Sequence, residues 1–193
     1  KVLVQGITGK EGQKAAVAML TYGTNVVGGV RPGKGGEIVE GRPVFNSVKE
    51  ATEQCNGIDV TAIYVPPFAA KDAILEAIDN GIPQINVIVE RVPIRDVAYC
   101  LAAAQEKNIR VIGPSSLGYI SPGIGRVGVV GGTKEFVDQI FVPGSIGIIS
   151  RSGGMTNELS WQMRRAGLGQ STAVHIGGDL LIGTSYADLL RLF

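Results

Sequence analysis

Histidine and cysteine are scarce in this 193-residue chain, which contains one histidine, His175, and two cysteines, Cys55 and Cys100. One histidine excludes a metal cluster built on several imidazoles, and the separated cysteines lack the spacing of a zinc site, so we expect no bound metal. Two cysteines are also too few for a disulfide framework. The composition is typical of a reducing compartment, and we expect a cytoplasmic protein.

Neither sign of charge dominates, and no apolar run is long. Eighteen basic residues against 17 acidic ones give a net charge of +1, which predicts no binding to nucleic acid or to a membrane surface. No run approaches the ~20 apolar residues that cross a bilayer. The chain enters a strand at once, so no targeting segment is visible, and we expect that this end has been shortened.

Short runs rich in valine and isoleucine alternate with segments that carry apolar residues at helical spacing. The runs lie at residues 1–5, 25–30, 59–65, 84–90 and 109–112, and the helical segments at 12–21, 47–55, 69–80 and 94–107. This alternation predicts a doubly wound parallel sheet of the α/β class. Residues 113–141 contain many glycines and show no clear period, so they are expected to form a connector with short extended pieces.

A second α/β unit follows the connector. Strands are predicted at 145–150 and 171–176, and helices at 155–166 and 185–193. Because two strands and two helices cannot close a core of their own, we expect this second domain to be cut off. The predicted division is a first domain over residues 1–125, then the connector and the start of the second domain over residues 126–193.

A glycine-rich turn, residues 6–12, joins the first predicted strand to the first helix. Such a turn offers free N–H groups and the positive end of a helix to a phosphate. Its G-x-x-G-x-x-G spacing differs from the dinucleotide pattern, and the second strand ends in the cations Arg31 and Lys34, not in the acid that holds an NAD ribose. These features favour NADP or CoA, with an ordinary turn and a solvated lysine as the alternative.

Two further loops, residues 64–68 and 90–93, lie at the same carboxyl edge of the predicted sheet, which is where open parallel sheets bind ligands. Glu90 either points into this crevice or caps the helix that follows it. In the second unit, residues 150–158 combine hydroxyls, two glycines and a helix start, which suits a phosphoryl or carboxylate group. Residues 177–179, Gly-Gly-Asp, end the next strand, and we expect a structural role for His175 in that strand.

Taken together, these segments resemble the α subunit of succinyl-CoA synthetase and the corresponding part of ATP citrate lyase and of citryl-CoA synthetase. The resemblance covers essentially the whole chain and depends on Gln5-Gly6-Ile7-Thr8-Gly9, Gly28-Gly29-Val30-Arg31-Pro32-Gly33-Lys34-Gly35-Gly36, Pro43-Val44-Phe45-Asn46, Gly113-Pro114, Ser150-Arg151-Ser152-Gly153 and Gly177-Gly178-Asp179. It implies a Rossmann-like CoA-binding domain followed by a flavodoxin-like ligase domain.

The resemblance also implies roles for individual residues. CoA is expected to contact Thr8, Gly9, Lys10, Glu11, Lys34, Pro66, Ile88, Val89 and Glu90. In that family the acid is activated through a phosphohistidine and an acyl phosphate, and CoA then displaces the phosphate. Glu90 is the candidate for the carboxylate that positions the histidine, and the phosphoryl group or the acid is expected to bind at Ser152, Gly153, Gly154 and Asn157.

ATP or GTP, with Mg²⁺, is expected in an ATP-grasp partner, either a β subunit of a hetero-oligomer or a fused domain. The family's phosphorylated histidine, in a Gly-His-Ala-Gly segment, is absent from these 193 residues, and His175 is not that histidine. The chain alone is therefore expected to lack synthetase activity.

The acid substrate is predicted from one departure. Asn157 replaces the tyrosine of succinate enzymes, which frees volume and offers an amide, so citrate is favoured over succinate. A CoA- or NADP-binding regulatory module without catalysis and an NADP oxidoreductase remain as alternatives.

Overall fold

The computed structural model describes all residues from 1 to 193. The first sheet has seven strands: β1 (Val2–Gln5), β2 (Val26–Val30), β3 (Ile38–Val39), β4 (Arg42–Phe45), β5 (Val60–Ile63), β6 (Gln84–Val87) and β7 (Arg110–Ile112). Its helices are α1 (Lys10–Thr21), α2 (Val48–Gln54), α3 (Ala70–Asp79) and α4 (Ile94–Glu106). A 3₁₀ turn, Pro67–Ala69, precedes α3.

The strand order is β3-β4-β2-β1-β5-β6-β7. All pairs are parallel except β3 with β4. From β1 the chain first builds outward through β2 and then returns to place β5 on the other side of β1. The order therefore reverses between β1 and β5, which opens a crevice beyond their carboxyl ends. The predicted doubly wound, Rossmann-like sheet is confirmed.

This sheet is buried on both faces, which explains its unbroken apolar runs. Leu3, Ile63 and Ile85 pack on one side with residues of α3 and α4, and Cys100 is part of this cluster. On the opposite side, Val4 and other strand residues pack against Ala15, Ala16 and Met19 of α1.

The second sheet contains more of the chain than the sequence predicted. It consists of β8 (Gly118–Ser121), β9 (Gly125–Gly128), β10 (Pro143–Ser150) and β11 (Gln170–His175), with helices α5 (Lys134–Ile140), α6 (Gly153–Arg165) and α7 (Tyr186–Leu190). The order is β10-β11-β8-β9, with β10 parallel to β11 and the other pairs antiparallel.

Residues 113–141 were expected to form a connector with short extended pieces, and two short strands, β8 and β9, do lie there. The prediction missed that these strands form a hairpin of the second sheet and that helix α5 follows them. Glycines conceal the hairpin: Gly118 has φ +97°, and a Cβ there would lie 1.9 Å from the carbonyl oxygen of Val127. Only glycine permits that approach, so the usual apolar alternation is missing. The predicted boundary at residue 125 falls inside β9.

The hairpin also joins the two sheets. Val127 packs with the α1 side of the first core, and the Thr24 hydroxyl donates to the carbonyl of Arg126 (2.7 Å) and accepts from its N–H (3.0 Å). The Arg126 side chain is 1% exposed and donates through Nη2 to the carbonyl of Gly132 (2.8 Å). Among the seven helices, none has both the length and the apolar character needed to cross a membrane.

Candidate functional site

The turn between β1 and α1 is tight because two glycines allow close backbone contact. Gly6 has φ +83°, and a Cβ there would lie 2.6 Å from the carbonyl oxygen of Tyr64. A Cβ on Gly12 would lie 2.2 Å from the carbonyl oxygen of Gly6, which also accepts a hydrogen bond from the N–H of Gly9 (3.0 Å). The first turn of α1 is thereby packed directly on the end of β1.

The start of α1 lines a cavity, and no side chain caps the N–H groups of its first turn. The helix begins at Lys10, and its N-cap, Gly9, has no side chain to accept from the first turn. The first N–H groups of a helix lack intrahelical partners and attract anions. The helix start is thus available to a phosphate.

This cavity, of about 650 Å³, lies at the crevice between β1 and β5. Most residues predicted to contact CoA line it: Gly9, Lys10, Glu11, Pro66, Ile88, Val89 and Glu90. Thr8 is half-buried in the same turn but is not among the lining residues, and neither is Lys34.

Arg31 was not among the residues predicted to contact CoA. It lines this cavity and also a neighbouring one of about 630 Å³ beside Pro32 and Phe68. Lys34 instead forms an exposed pair with Glu37 (Nζ to Oε1, 2.7 Å). The signal for Arg31 was its place directly after β2, where the side chain is close to the crevice.

Glu90 lines the cavity and does not cap the helix that follows. Helix α4 begins at Ile94, and its N-cap position is Pro93, with no side-chain hydrogen bond. The pKa of Asp179 is raised by partial burial and by the charge of Glu90, against a smaller opposing effect of Arg151.

Ser115 links this crevice to the second domain, since its N–H donates to the carbonyl of Val89 (2.9 Å) and its carbonyl accepts from the N–H of Gly178 (3.1 Å). The Gly-Gly-Asp segment of the second domain therefore lies next to the crevice of the first sheet.

The loop between β10 and α6 forms the second anion-binding candidate. Ser152 is the N-cap of α6, and its Oγ accepts from the N–H of Met155 (3.3 Å). A Cβ on Gly153 would lie 2.4 Å from Cδ1 of Leu117, whereas one on Gly154 would meet nothing within 4 Å. Gly153 is therefore required for packing, and Gly154 leaves the outer side of the helix start open.

Arg151 and His175 stabilise this loop through hydrogen bonds to the main chain. The Arg151 guanidinium donates to the carbonyls of Gly177 (Nε, 3.3 Å) and Asp179. His175 is 5% exposed and contacts the main chain on both sides of its ring, which agrees with the structural role expected for it.

Asn157 is half-buried in α6, and its Oδ1 accepts from the N–H of Gly131 (3.1 Å). One of the two polar atoms of its amide is thus used to hold the turn after β9. The structure brings Ser152, Gly153 and Gly154 together at the helix start, with Asn157 one turn further along.

The chain is similar to a CoA-binding family and to the alpha subunits of acid–CoA ligases. Residues 1–91 match the family model of the CoA binding domain. Over its whole length the chain is 46% identical to succinate–CoA ligase [ADP-forming] subunit alpha 2 of Archaeoglobus fulgidus, 48% identical to the corresponding alpha subunit of Aquifex aeolicus, and 45% identical to the malate–CoA ligase subunit alpha of Methylorubrum extorquens. It spans 65%, 62% and 64% of these relatives.

Solved structures share the fold. ATP citrate lyase from Methanothrix soehngenii, in complex with citrate and coenzyme A, superimposes with a TM-score of 0.87 at 27% identity, over 97% of this chain and 33% of that one. The dinucleotide forming acetyl-coenzyme A synthetase 1 of Ca. Korarchaeum cryptofilum gives a TM-score of 0.74 at 20% identity, over 99% of this chain and 41% of that one. The second likeness shows the fold alone.

Proposed function

We propose that this chain is the CoA-binding part of a nucleotide-dependent acid–CoA ligase. Residues 1–91 match the family model of the CoA binding domain, and the chain is 45–48% identical to alpha subunits of succinate–CoA and malate–CoA ligases, which supports the proposal. One observation carries this proposal. The uncapped start of α1 borders a cavity at the β1–β5 crevice, and Ser115 joins the wall of that cavity to the second domain. The N–H of Ser115 donates to the carbonyl of Val89 (2.9 Å), and its carbonyl accepts from the N–H of Gly178 (3.1 Å). In this arrangement the thiol of CoA and the activated acid meet between the two sheets.

In this proposal the first domain binds CoA through its phosphates. The N–H groups of Lys10 and Glu11 hold the diphosphate at the positive end of α1, and Arg31 provides the charge for a further phosphate. Val65 and Pro66 form an apolar wall, and the chain that carries the thiol extends toward Glu90.

The second loop holds the acid during its conversion. The N–H groups at the start of α6, next to Gly153 and Gly154, bind the phosphoryl group or the carboxylate of the acyl phosphate. The CoA sulfur then attacks the acyl carbon, the bond from that carbon to the phosphate oxygen breaks, and phosphate leaves. A carboxylate such as Glu90 close to the thiol is suited to accept its proton. It remains the candidate for positioning the phosphohistidine.

The nucleotide chemistry belongs to a partner in this proposal. We propose an ATP-grasp β subunit or fused domain that binds ATP or GTP with Mg²⁺, so that the active protein is a hetero-oligomer or a longer chain. The relatives named as alpha subunits of ADP-forming ligases support a separate subunit. The lyase neighbour, of which this chain matches 33%, supports the fused arrangement as the alternative.

For the acid we propose a four-carbon dicarboxylate, succinate or malate. The relatives at 45–48% identity carry those names, whereas the citrate-bound neighbour is 27% identical. Citrate, favoured by the sequence because Asn157 replaces a tyrosine, is the second candidate. The bond from Gly131 to Oδ1 of Asn157 weakens that argument, since this oxygen is already used.

The test is a steady-state assay of the full-length protein with its partner subunit, CoA, ATP or GTP, and succinate, malate or citrate in turn. We expect the highest specificity constant for a four-carbon acid, and a clear preference for citrate would reverse that choice only. CoA binding without turnover of any acid would support a regulatory module instead. A fluorescence titration in which NADPH binds more tightly than CoA would support an oxidoreductase.

A further inference from the structure

His175 ends β11 at the point where three parts of the second domain meet. Its backbone pairs with Ser150 of β10 on one side and with Gly118 of β8 on the other. Its ring is buried between the Leu117 main chain and the Arg151 main chain, with Nδ1 2.8 Å from the N of Leu117 and Nε2 3.1 Å from the carbonyl oxygen of Arg151.

These two contacts determine where the proton of the ring lies. A main-chain N–H can only donate, so Nδ1 accepts from Leu117 and is unprotonated. A carbonyl oxygen can only accept, so Nε2 carries the hydrogen and donates to Arg151. The imidazole is therefore neutral, and burial, which lowers the pKa of His175, favours the same state.

The ring also lies directly beneath the start of α6. A Cβ on Gly153 would lie 3.6 Å from Cε1 of His175 as well as 2.4 Å from Leu117. The carbonyl of Arg151 points inward to Nε2, and the next N–H, at Ser152, is bonded to Oγ of Ser150 (3.0 Å). The N–H of Met155 is bonded to Oγ of Ser152, so the N–H groups that remain for an anion at the start of the helix are those of Gly153 and Gly154.

We propose that His175 is a positioning residue for the second anion loop: by holding the Arg151 carbonyl, it sets the direction in which Gly153 and Gly154 present their N–H groups. The inference rests on the proposed function only for the identity of the anion. None of the residues in contact with the His175 ring lines the CoA cavity.

Three variants separate this role from simple packing. H175Q can place an amide near the Nε2 position and donate to Arg151, H175N can reach only the Nδ1 position and accept from Leu117, and H175L makes neither bond. Thr172→Val is the matched control. Thr172 lies on the same strand as His175, away from the loop, and the change removes its hydrogen bond to Ser121 of β8 (2.8 Å).

The variants are compared in the full-length protein with its partner subunit. We expect H175L to raise the KM for the acid and for inorganic phosphate on the order of 10- to 100-fold, the range for one lost buried hydrogen bond, with the KM for CoA within about twofold. H175Q should recover most of the loss and H175N little, while Thr172→Val should leave all three KM values near wild type.

Calorimetric binding of inorganic phosphate, with thermal unfolding recorded alongside, keeps the inference testable if no acid is turned over. Phosphate affinity should follow the same order, with H175Q above H175N and H175L. Equal phosphate affinity and equal KM values for H175Q, H175N and H175L would overturn the proposal. A parallel loss of stability, CoA affinity and phosphate affinity would also overturn it, since it indicates only a packing role.

Discussion

Gly12 lies where α1 passes closest to the turn before it, and its replacement by alanine perturbs the CoA site without removing any polar group. The added carbon would lie 2.2 Å from the carbonyl oxygen of Gly6 and 3.0 Å from Cα of Ile7. Relief of this overlap needs a separation of about 1 Å, because non-bonded carbon contacts are optimal near ~3.5–4.0 Å. The helix start and the turn must therefore move apart.

Overpacking of this kind costs about 1–3 kcal/mol, and the better helix propensity of alanine returns up to about 1 kcal/mol. The net loss of stability is expected to be modest. CoA binding should fall more, because a shift of about 1 Å lengthens at least one charge-assisted hydrogen bond worth about 1.5–3 kcal/mol. That range corresponds to roughly a 10- to 150-fold loss of affinity.

Isothermal titration with CoA, together with thermal unfolding, measures both effects. Gly125→Ala is the matched control, since the nearest atom to its added carbon is the hydroxyl of Thr24 at 4.0 Å, and it should bind CoA like the wild type. If Gly12→Ala binds CoA within twofold of the wild type, the start of α1 does not hold the phosphates, and the argument for this cavity fails.

Three further outcomes follow from the same structure. Arg31→Ala should weaken CoA binding by about 1.5–3 kcal/mol and Lys34→Ala by less, because Lys34 is in an exposed pair with Glu37; calorimetry giving the reverse order contradicts this. Asn157→Tyr, which removes the acceptor for Gly131, should raise the KM for the acid more than that for CoA in steady-state assays, and a selective effect on CoA speaks against it. Burial lowers the pKa of His175, so below about pH 6.5 the unfolded state binds a proton that the native state does not. The free energy of unfolding should therefore decrease as the pH is lowered below this value. When the free energy of unfolding is measured with urea from pH 7 to pH 5, it should decrease less for H175N than for the wild type. An equal decrease refutes the assignment of a neutral His175.

The first domain could be predicted closely because burial on both faces of its sheet leaves continuous apolar runs. The ends of these runs were less certain. Residues 59–65 and 84–90 were predicted as strands, but β5 ends at Ile63 and β6 at Val87. Val65 and Val89 continue the apolar pattern because they line the cavity, and burial does not distinguish a ladder residue from a loop residue.

The hairpin of the second sheet could not be read from hydrophobic pattern. Gly118 and Gly128 occupy positive φ values where the two strands approach each other closely, so local backbone requirements replaced the alternation that normally marks a strand. Long-range pairing with β11 then decides that this segment belongs to the second sheet.

Most residues of the candidate CoA site could be proposed from the sequence because three loops, residues 6–11, 64–67 and 88–91, contain most of the cavity lining. The sequence did not show that Arg31 lines the cavity while Lys34 does not, since the shape of their loop depends on Asn46, which directly follows β4. Oδ1 of Asn46 accepts from the N–H groups of Gly33 and Gly35, each at 3.0 Å. The tautomer of His175 likewise depends on Leu117 and Arg151, which are distant from it in sequence.

The structure of the protein with CoA bound tests the central claim most directly. The diphosphate is expected within hydrogen-bonding distance of the N–H groups of Lys10 and Glu11, with Arg31 on a phosphate and the thiol end directed toward Glu90. A CoA molecule bound with its diphosphate away from the start of α1 would contradict the account.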